Sequence, residues 1–462
     1  MIKTNWRIPN GEFSNVYIEM YPEPLFEPLE NFRERKNRLR IQNITIIVTQ
    51  DCQLRCSYCY QHAKNCYNAM DKKTAREIVD LLFKLDAEDN PYINKNSAEA
   101  IILDFIGGEP LLEIDLIDYL VRYFRKKAVE LNHRWALNYM LSFSTNGIYF
   151  NNPNVQKFIK KNKPRLSMGI TIDGNKELHD ACRRFPDGSP SYDIVAKSIK
   201  NHTKLFYRTT TKLTLAPGNI SYLYPAIRNL YDEFKMEGVF ANCVFEEGWT
   251  KEHAKIFYNE LKKLADWIIN NDIEKEFFCT LFDEHIGTQI PEEDNMNFCG
   301  GTGAMISITA DGRIQPCLRY TDFNLNYRQP ELNIGTLKDG IYNIPEHKKT
   351  VDMLDKITRR SQSNDECFYC PIGQGCSWCS GHNYEVYGTP DKRTTFICDM
   401  HKARVLANRY YWQQIYQKYR VNCEFKFCCP EEWALEIISK DEFEMLRGLE
   451  NGYYKNSDSP SS

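Results

Sequence analysis

The sequence predicts an α/β protein built on an open, barrel-like sheet of six parallel strands. Three observations carry that prediction. Six short apolar, β-branched runs recur between residues 44 and 245: ITIIVTQ (44–50), AIILDFI (100–106), YMLSFS (139–144), LSMGITI (166–172), TTTKLTLA (209–216) and VFANCVF (239–245). Amphipathic stretches such as KTAREIVDLLFKL (73–85) and IDLIDYLVRYFRKKA (114–128) separate them. Polar clusters fall at the carboxyl ends of the first four runs. Near-continuous apolar strands alternating with helices form a parallel sheet buried on both faces. Six units are too few for a closed eight-stranded barrel, so the expected form is a partial, TIM-like (β/α)6 barrel.

Taken in order, strand one runs into Cys52, Cys56 and Cys59, and strand two into Gly107-Gly108-Glu109-Pro110. Strand three ends in Ser144-Thr145-Asn146-Gly147 and strand four in Asp173-Gly174. Ligands of such sheets bind at the carboxyl ends of the strands, so four coincidences in register point to one site. Glu246 and Glu247 follow strand six and face the same mouth, whereas Asp104 reads as a buried partner within the sheet; neither reading places them among the site residues. Residues 251–285 read as helices. A second region rich in Cys, Gly and aromatics follows, with a hairpin signal at Asp311-Gly312. The tail reads as a helix (MHKARVLANRYYWQQIYQKY), a Cys428-Cys429-Pro430 break and a second amphipathic helix, EEWALEIISKDEFEMLRGL. The expected organisation is an N-terminal extension 1–43, a barrel 44–250, linker helices 251–294, a Cys-rich domain 295–400 and a helical tail 401–462 whose last dozen residues read as disordered.

Composition sets the outer limits. The chain has 462 residues, 42% of them apolar, and its 59 basic residues nearly balance 62 acidic ones. No basic block argues for an obligate nucleic-acid binder, and no apolar run is long enough to span a membrane. The start, MIKTNWRIPNGEF, has no hydrophobic signal segment, so a cytoplasmic location is expected. The 17 cysteines are the anomaly. In a reducing compartment they point to metal or redox chemistry rather than disulfides.

Cys52-x3-Cys56-x2-Cys59 puts three thiols on one loop. Three thiolates can hold three irons of a [4Fe–4S] cluster and leave the fourth iron open. A zinc knuckle with a distant fourth ligand, or a redox Cys56/Cys59 pair, are the alternatives that spacing leaves open. The C-x3-C-x-Y-C loop resembles the radical S-adenosylmethionine (SAM) superfamily. The resemblance implies that the three cysteines bind the cluster, that SAM chelates the open iron, and that its reductive cleavage yields a 5′-deoxyadenosyl radical. Gly107-Gly108-Glu109-Pro110 is similar to the family's GGEP motif, which holds the methionyl ammonium; two glycines allow close backbone approach, and a carboxylate suits an ammonium. Ser144 and Asn146 match a turn lining the SAM pocket. Thr171, Asp173 and Arg183, with His179-Asp180 between them, resemble a stretch of one subgroup in which Thr171 and Arg183 would meet SAM's carboxylate.

A second set comprises Cys299, Cys317, Cys367, Cys370, Cys376, Cys379 and Cys398. Zinc ribbons are the competing reading, but seven is one short of two closed four-thiolate sites. The pattern resembles the SPASM extension of peptide-modifying radical SAM enzymes, a small hairpin-and-helix domain with two auxiliary [4Fe–4S] clusters. By position, Cys299, Cys317 and Cys379 would bind the first, and Cys367, Cys370, Cys376 and Cys398 the second. The sequence departs from the pattern twice: Cys376-Ser-Trp-Cys379 is one residue shorter than usual, and Met305 stands where sulfatase-maturing members carry a further cysteine. Cys66, Cys182, Cys243, Cys279, Cys423, Cys428 and Cys429 lie outside these motifs.

Closer likeness is to maturases of peptides with Cys-x-x-x repeats. It implies a small Cys-rich precursor peptide as partner, reduced flavodoxin or ferredoxin as electron donor, an anaerobic host and a thioether as the leading product. A sulfatase-type oxidation of Cys or Ser to formylglycine and a C–C crosslink are the alternatives. The residue matching the sulfatase-type proton acceptor is Leu318, not Asp, which argues against the formylglycine reading. A non-catalytic iron–sulfur carrier or zinc module leaves GGEP and the βα array unexplained. The winged-helix leader-binding domain of many such maturases does not fit within residues 1–43, leaving the aromatic segment Trp6 to Phe32 or the tail as candidates for leader recognition.

Overall fold

A computed structural model describes residues 41–61, 68–87, 99–206, 209–297, 299–302, 305–419 and 427–448. Residues 1–40 and 449–462, which hold most of the expected extension 1–43 with Trp6 to Phe32 and the last dozen residues, lie outside the described residues, as do Cys66 and Cys423. The first half alternates as predicted: β1 (Ile41–Ile47), α1 (Lys72–Ala87), β2 (Ala100–Ile106), α2 (Ile114–Glu130), β3 (Tyr139–Thr145), α3 (Pro153–Asn162), β4 (Leu166–Ile170), α4 (Lys176–Cys182), α5 (Tyr192–Leu205), β5 (Thr210–Leu215), α6 (Leu223–Phe234), β6 (Gly238–Cys243) and α7 (Lys251–Asn270). Strands β1 to β4 pair in parallel, with Thr45, Asp104, Ser142 and Ser167 at one level across them.

The six strands do not form one ladder. The main-chain pairing stops after β4, and β5-β6 form a separate three-stranded sheet with β7 (Phe278–Cys279). Thr211 bridges the gap: its Oγ donates to the Ile170 carbonyl (3.0 Å) and accepts from the Ile172 amide (3.2 Å). Alternation then divides the strands. Leu213, Leu215, Val239 and Ala241 are buried in the core, whereas Lys212, Phe240 and Asn242 on the opposite face are exposed toward the barrel interior. Asp104 lies on that inner face too. It bonds to Ser142 and feels the charge of Lys212, so it is a polar group of the barrel interior.

The expected helical run 251–285 is one helix. It ends where Asp272 adopts a left-handed φ of 56°, and β7 follows. The hairpin at Asp311-Gly312 forms between β8 (Ile306–Ile308) and β9 (Arg313–Gln315), with Gly312 at φ 85°. Strand β8 also pairs in parallel with β1, Ile44 opposite Ile306, so the main chain of the Cys-rich region continues the barrel sheet. β10 (Gly335–Thr336) and β11 (Gly340–Ile341) extend it. Then come α8 (Pro345–Leu354), α9 (Arg359–Gln362), α10 (Asp365–Phe368), α11 (Ser380–Tyr387), α12 (Cys398–Tyr419), α13 (Glu431–Ala434) and α14 (Lys440–Arg447). The last amphipathic stretch is thus two helices, because Ser439 caps α14 through the Glu442 amide. Helix α12 is clamped to the barrel: Asn408 exchanges hydrogen bonds with Leu281 O (2.6 Å) and Asp283 N (2.7 Å), and Tyr410 donates to Asp266 (2.6 Å). No helix among the described residues is long and apolar enough to cross a membrane.

Three buried histidines tie elements together in their neutral form. His202 Nε2 donates to the Met168 carbonyl (2.7 Å) and His401 Nε2 to the Ile372 carbonyl (2.6 Å). Burial lowers the pKa of both from 6.5 to about 4 and that of His179 to about 3. The unfolded chain therefore binds more protons between those values and 6.5, and stability falls as pH drops through that window. The melting temperature is expected to be lower at pH 5 than at pH 7, and His202→Phe should flatten part of that slope.

Candidate functional site

The first cysteine loop is held from both sides. Gly108 N donates to Thr49 O (2.9 Å) and Glu109 N to Asp51 O (2.8 Å), fixing the entry to Cys52. Arg55 N and Ser57 N donate to the carbonyls of Arg184 (2.7 Å) and Cys182 (2.9 Å), fixing the exit to the end of α4. The two glycines serve this packing: a Cβ on Gly107 would lie 2.2 Å from Thr49 O and one on Gly108 2.1 Å from Asp51 O. The close backbone approach predicted for a ligand is thus first an approach to the cysteine loop itself.

Glu109 is fully buried and its carboxylate is engaged inward. Oε1 accepts from Thr145 Oγ (2.6 Å) and Leu111 N (3.0 Å), and Oε2 from Asn146 N (2.7 Å). Burial raises its pKa against the pull of those donors. Glu109 therefore binds strand end two to strand end three. The turn it holds carries Asn146, whose Nδ2 lies 3.6 Å from Cys52 Sγ and 3.1 Å from Gln53 Oε1. Pro110 begins the short 3-10 turn that Glu109 caps. Ser144 accepts from Lys212 Nζ (3.2 Å), and Thr171 N donates to Thr145 O (2.9 Å), joining strand end four.

Tyr58 links the loop to the Asp-Gly stretch. Its hydroxyl donates to Asp173 Oδ2 and accepts from Arg183 Nη1 (2.7 Å). Burial and the neighbouring Asp173 and Cys56 charges hold the phenol well above its ordinary pKa, against the pull of Arg183. His179 accepts from Asp173 N (3.2 Å) and contacts Ser191 Oγ (3.0 Å), while Asp180 accepts from Ser191 N and Tyr192 N; this pair shapes the turn instead of facing the site. Three buried polar atoms here lack a partner: Asp173 Oδ1, Arg183 Nε and Gln53 Nε2. One acceptor and two donors sealed beside three thiols fit a zwitterionic amino-acid group.

Burial and the charges of Cys299 and Cys379 push the Cys317 thiol up to about 12. Cys370 feels Cys376 and Cys367, and Cys398 feels Cys376 and Cys370. Arg393 donates to Cys376 Sγ (2.9 Å) and stacks on Trp378, 4.4 Å from the ring centroid. Among the described residues, no three His, Cys, Asp or Glu side chains take the arrangement of a single metal ion's ligands. Of the remaining cysteines, Cys182 accepts from Asn219 (3.6 Å), Cys243 and Cys279 lie near the half-buried Arg404, and Cys429 lies beside Cys370.

Between the two sets stand two residues that motif reading passed over. Burial and the neighbouring charges of Cys59, Cys317 and Cys379 raise the Tyr60 phenol above its ordinary pKa, against the pull of Arg319. Arg319 lies over its ring, 4.7 Å from the centroid. The only sequence signal for either is adjacency, Tyr60 next to Cys59 and Arg319 two residues after Cys317.

Four strand ends drawn around one three-cysteine loop is the layout of a radical SAM domain, and residues 46–220 match the Radical SAM superfamily. Those residues form a radical SAM domain within the chain. It is 32% identical over 151 residues to an uncharacterized protein of Methanocaldococcus jannaschii, covering 33% of this chain and 45% of that one. The match thus spans about half the length of that relative. It is 26% identical over 348 residues to the cysteine-type anaerobic sulfatase-maturating enzyme of Clostridium novyi, covering 71% of this chain and 85% of the relative. Its fold is similar to that of native anSMEcpe with bound AdoMet and Cp18Cys peptide, with a TM-score of 0.59 at 17% identity over 82% of this chain and 99% of that one.

Proposed function

We propose that this enzyme modifies a ribosomally made, cysteine-containing peptide and closes a thioether in it. The observation that carries the reading is the grouping of three cysteines, Cys299, Cys317 and Cys379, of which Cys317 and Cys379 share Tyr60 as a neighbour with Cys59. Three thiolates on a cluster leave one iron for a substrate sulfur, at a place adjoining the radical-generating loop. The peptide bound in the similar structure supports a peptide substrate.

In this reading Cys52, Cys56 and Cys59 hold the SAM-binding [4Fe–4S] cluster. The second set holds two more, with Cys367, Cys370, Cys376 and Cys398 closing the outer one. When bound, the first cluster supplies the electron that cleaves SAM to the hydrogen-abstracting radical. Arg183 meets SAM's carboxylate, oriented by Tyr58 and Asp173. The Gly107-Gly108-Glu109-Pro110 turn, with Ser144, Asn146 and Thr171, shapes the pocket wall. Reduced flavodoxin or ferredoxin supplies electrons.

The likeness to a cysteine-type sulfatase-maturating enzyme favours a second reading, oxidation to formylglycine, against which Leu318 stands. A first test is anaerobic deoxyadenosine release with and without Cys-x-x-x repeat peptides. The reading expects release to rise with the peptide and an alkylatable thiol to be lost in step; release indifferent to every Cys peptide overturns it.

A further inference from the structure

The peptide reading leaves one chemical task unassigned, and the contact between barrel and Cys-rich region has a residue suited to it. Arg319, 11% exposed, is shared by two carboxylates. Its Nη2 donates to Glu385 Oε2 (3.3 Å) on α11 and to Glu246 Oε1 (3.4 Å) on the segment after β6, with His382 Nδ1 also at 3.4 Å. The site is tightly built, since a Cβ on Gly381 would fall 2.5 Å from Arg319 Cβ. The two carboxylates differ in access: the Glu385 side chain is 9% exposed and that of Glu246 44%. Glu246 is therefore the carboxylate that reaches solvent, at the carboxyl end of a barrel strand. Through Arg319 it abuts Tyr60 and the neighbourhood of Cys317 and Cys379.

Joining a thiol sulfur to carbon removes two hydrogens from the peptide. One leaves carbon as an atom; the other leaves sulfur as a proton and needs an acceptor. The one electron left over would pass to the auxiliary iron–sulfur cluster that Cys299, Cys317 and Cys379 would hold. We infer that Glu246 is that acceptor and that Arg319 positions it. In the step the S–H bond breaks, its electron pair stays on sulfur, and an O–H bond forms on Glu246. The guanidinium helps twice, by fixing the carboxylate and by favouring a thiolate beside it. Exposure then lets Glu246 release the proton to water. Arg319 is the charged group that meets it, and Arg319 in turn meets Glu385, His382 and Tyr60.

This assignment rests on the peptide-crosslinking reading, and the test separates the two. Wild type, Glu246→Gln and Glu246→Asp are reconstituted anaerobically. Each is assayed for iron content, for binding of a fluorescent Cys-repeat peptide, and for deoxyadenosine and crosslink formation across pH. Glu246→Gln is expected to keep wild-type iron and peptide affinity and to release deoxyadenosine. Its crosslinking should fall about a hundredfold, so deoxyadenosine per crosslink rises, and higher pH should restore the rate as the thiol ionises unaided. Glu246→Asp should retain part of the rate. Crosslinking by Glu246→Gln with the wild-type rate and pH profile overturns the assignment. So does loss of iron or peptide binding, which would make Glu246 structural. A wild type that binds and crosslinks no such peptide overturns the peptide reading itself and this assignment with it.

Discussion

Gly108→Ala is expected to abolish tight SAM binding while leaving most of the barrel folded. The added Cβ would sit 2.1 Å from Asp51 O, 2.5 Å from Asp51 C and 2.6 Å from Gln50 O. All three are main-chain atoms, which cannot rotate aside as a side chain can. The segment they belong to leads into Cys52 and is pinned by Glu109 N to Asp51 O (2.8 Å). Relief therefore requires the cysteine loop to move away from strand end two. Glu109 would be drawn from Thr145 and Asn146, and Asn146 from Cys52 Sγ. Overpacking of this sort costs about 1–3 kcal/mol, which a domain of this size survives. Anaerobic SAM-binding titration and thermal melting check it: affinity should fall at least tenfold (about 1.4 kcal/mol) with a melting shift of only a few degrees. Wild-type affinity would show that the loop gives way freely.

The second large effect concerns iron. Replacing Cys52, Cys56 and Cys59 together by Ala should lower reconstituted iron from about twelve to about eight atoms per chain. The remaining iron should be retained because the seven other cysteines stand on elements after residue 298, held by contacts that these three do not make: Arg393 to Cys376, and the Cys299, Cys317 and Cys379 grouping around Tyr320. Deoxyadenosine release should vanish in the triple variant. A wild-type total of about four irons, or bound zinc, contradicts the two auxiliary clusters.

Much of this was legible in the residue pattern, for a physical reason. Strands whose outer face packs into the core carry apolar or β-branched residues at every second position at least, so all six runs stood out, and polar residues at their ends marked the mouth. Burial on both faces was not met, since the inner face carries Asp104, Lys212 and Asn242. What escaped was non-local. Pairing of Ile306–Ile308 with β1 joins segments some 260 residues apart, and three residues carry no periodicity. Phe278–Cys279 is too short to announce a strand. Thr211 gave no hint that it bridges two sheets. Asp104 was noticed, but its side of the sheet follows only from the register. At the site, the motifs located the cysteines and the turns around them. They did not tell that Glu109 faces inward, or that Tyr58 meets Asp173 across 115 positions of sequence. Tyr60, Arg319 and Glu246 matter through one another, and no local spacing links them.

The most direct test of the account is mass spectrometry of a Cys-x-x-x repeat peptide after anaerobic incubation with the reconstituted enzyme, SAM and reductant, with and without thiol alkylation. The account predicts a product lighter by two hydrogens whose modified cysteine no longer alkylates and keeps its sulfur. Loss of the sulfur, as formylglycine formation requires, or a product lighter by two hydrogens whose cysteine still alkylates, would contradict it.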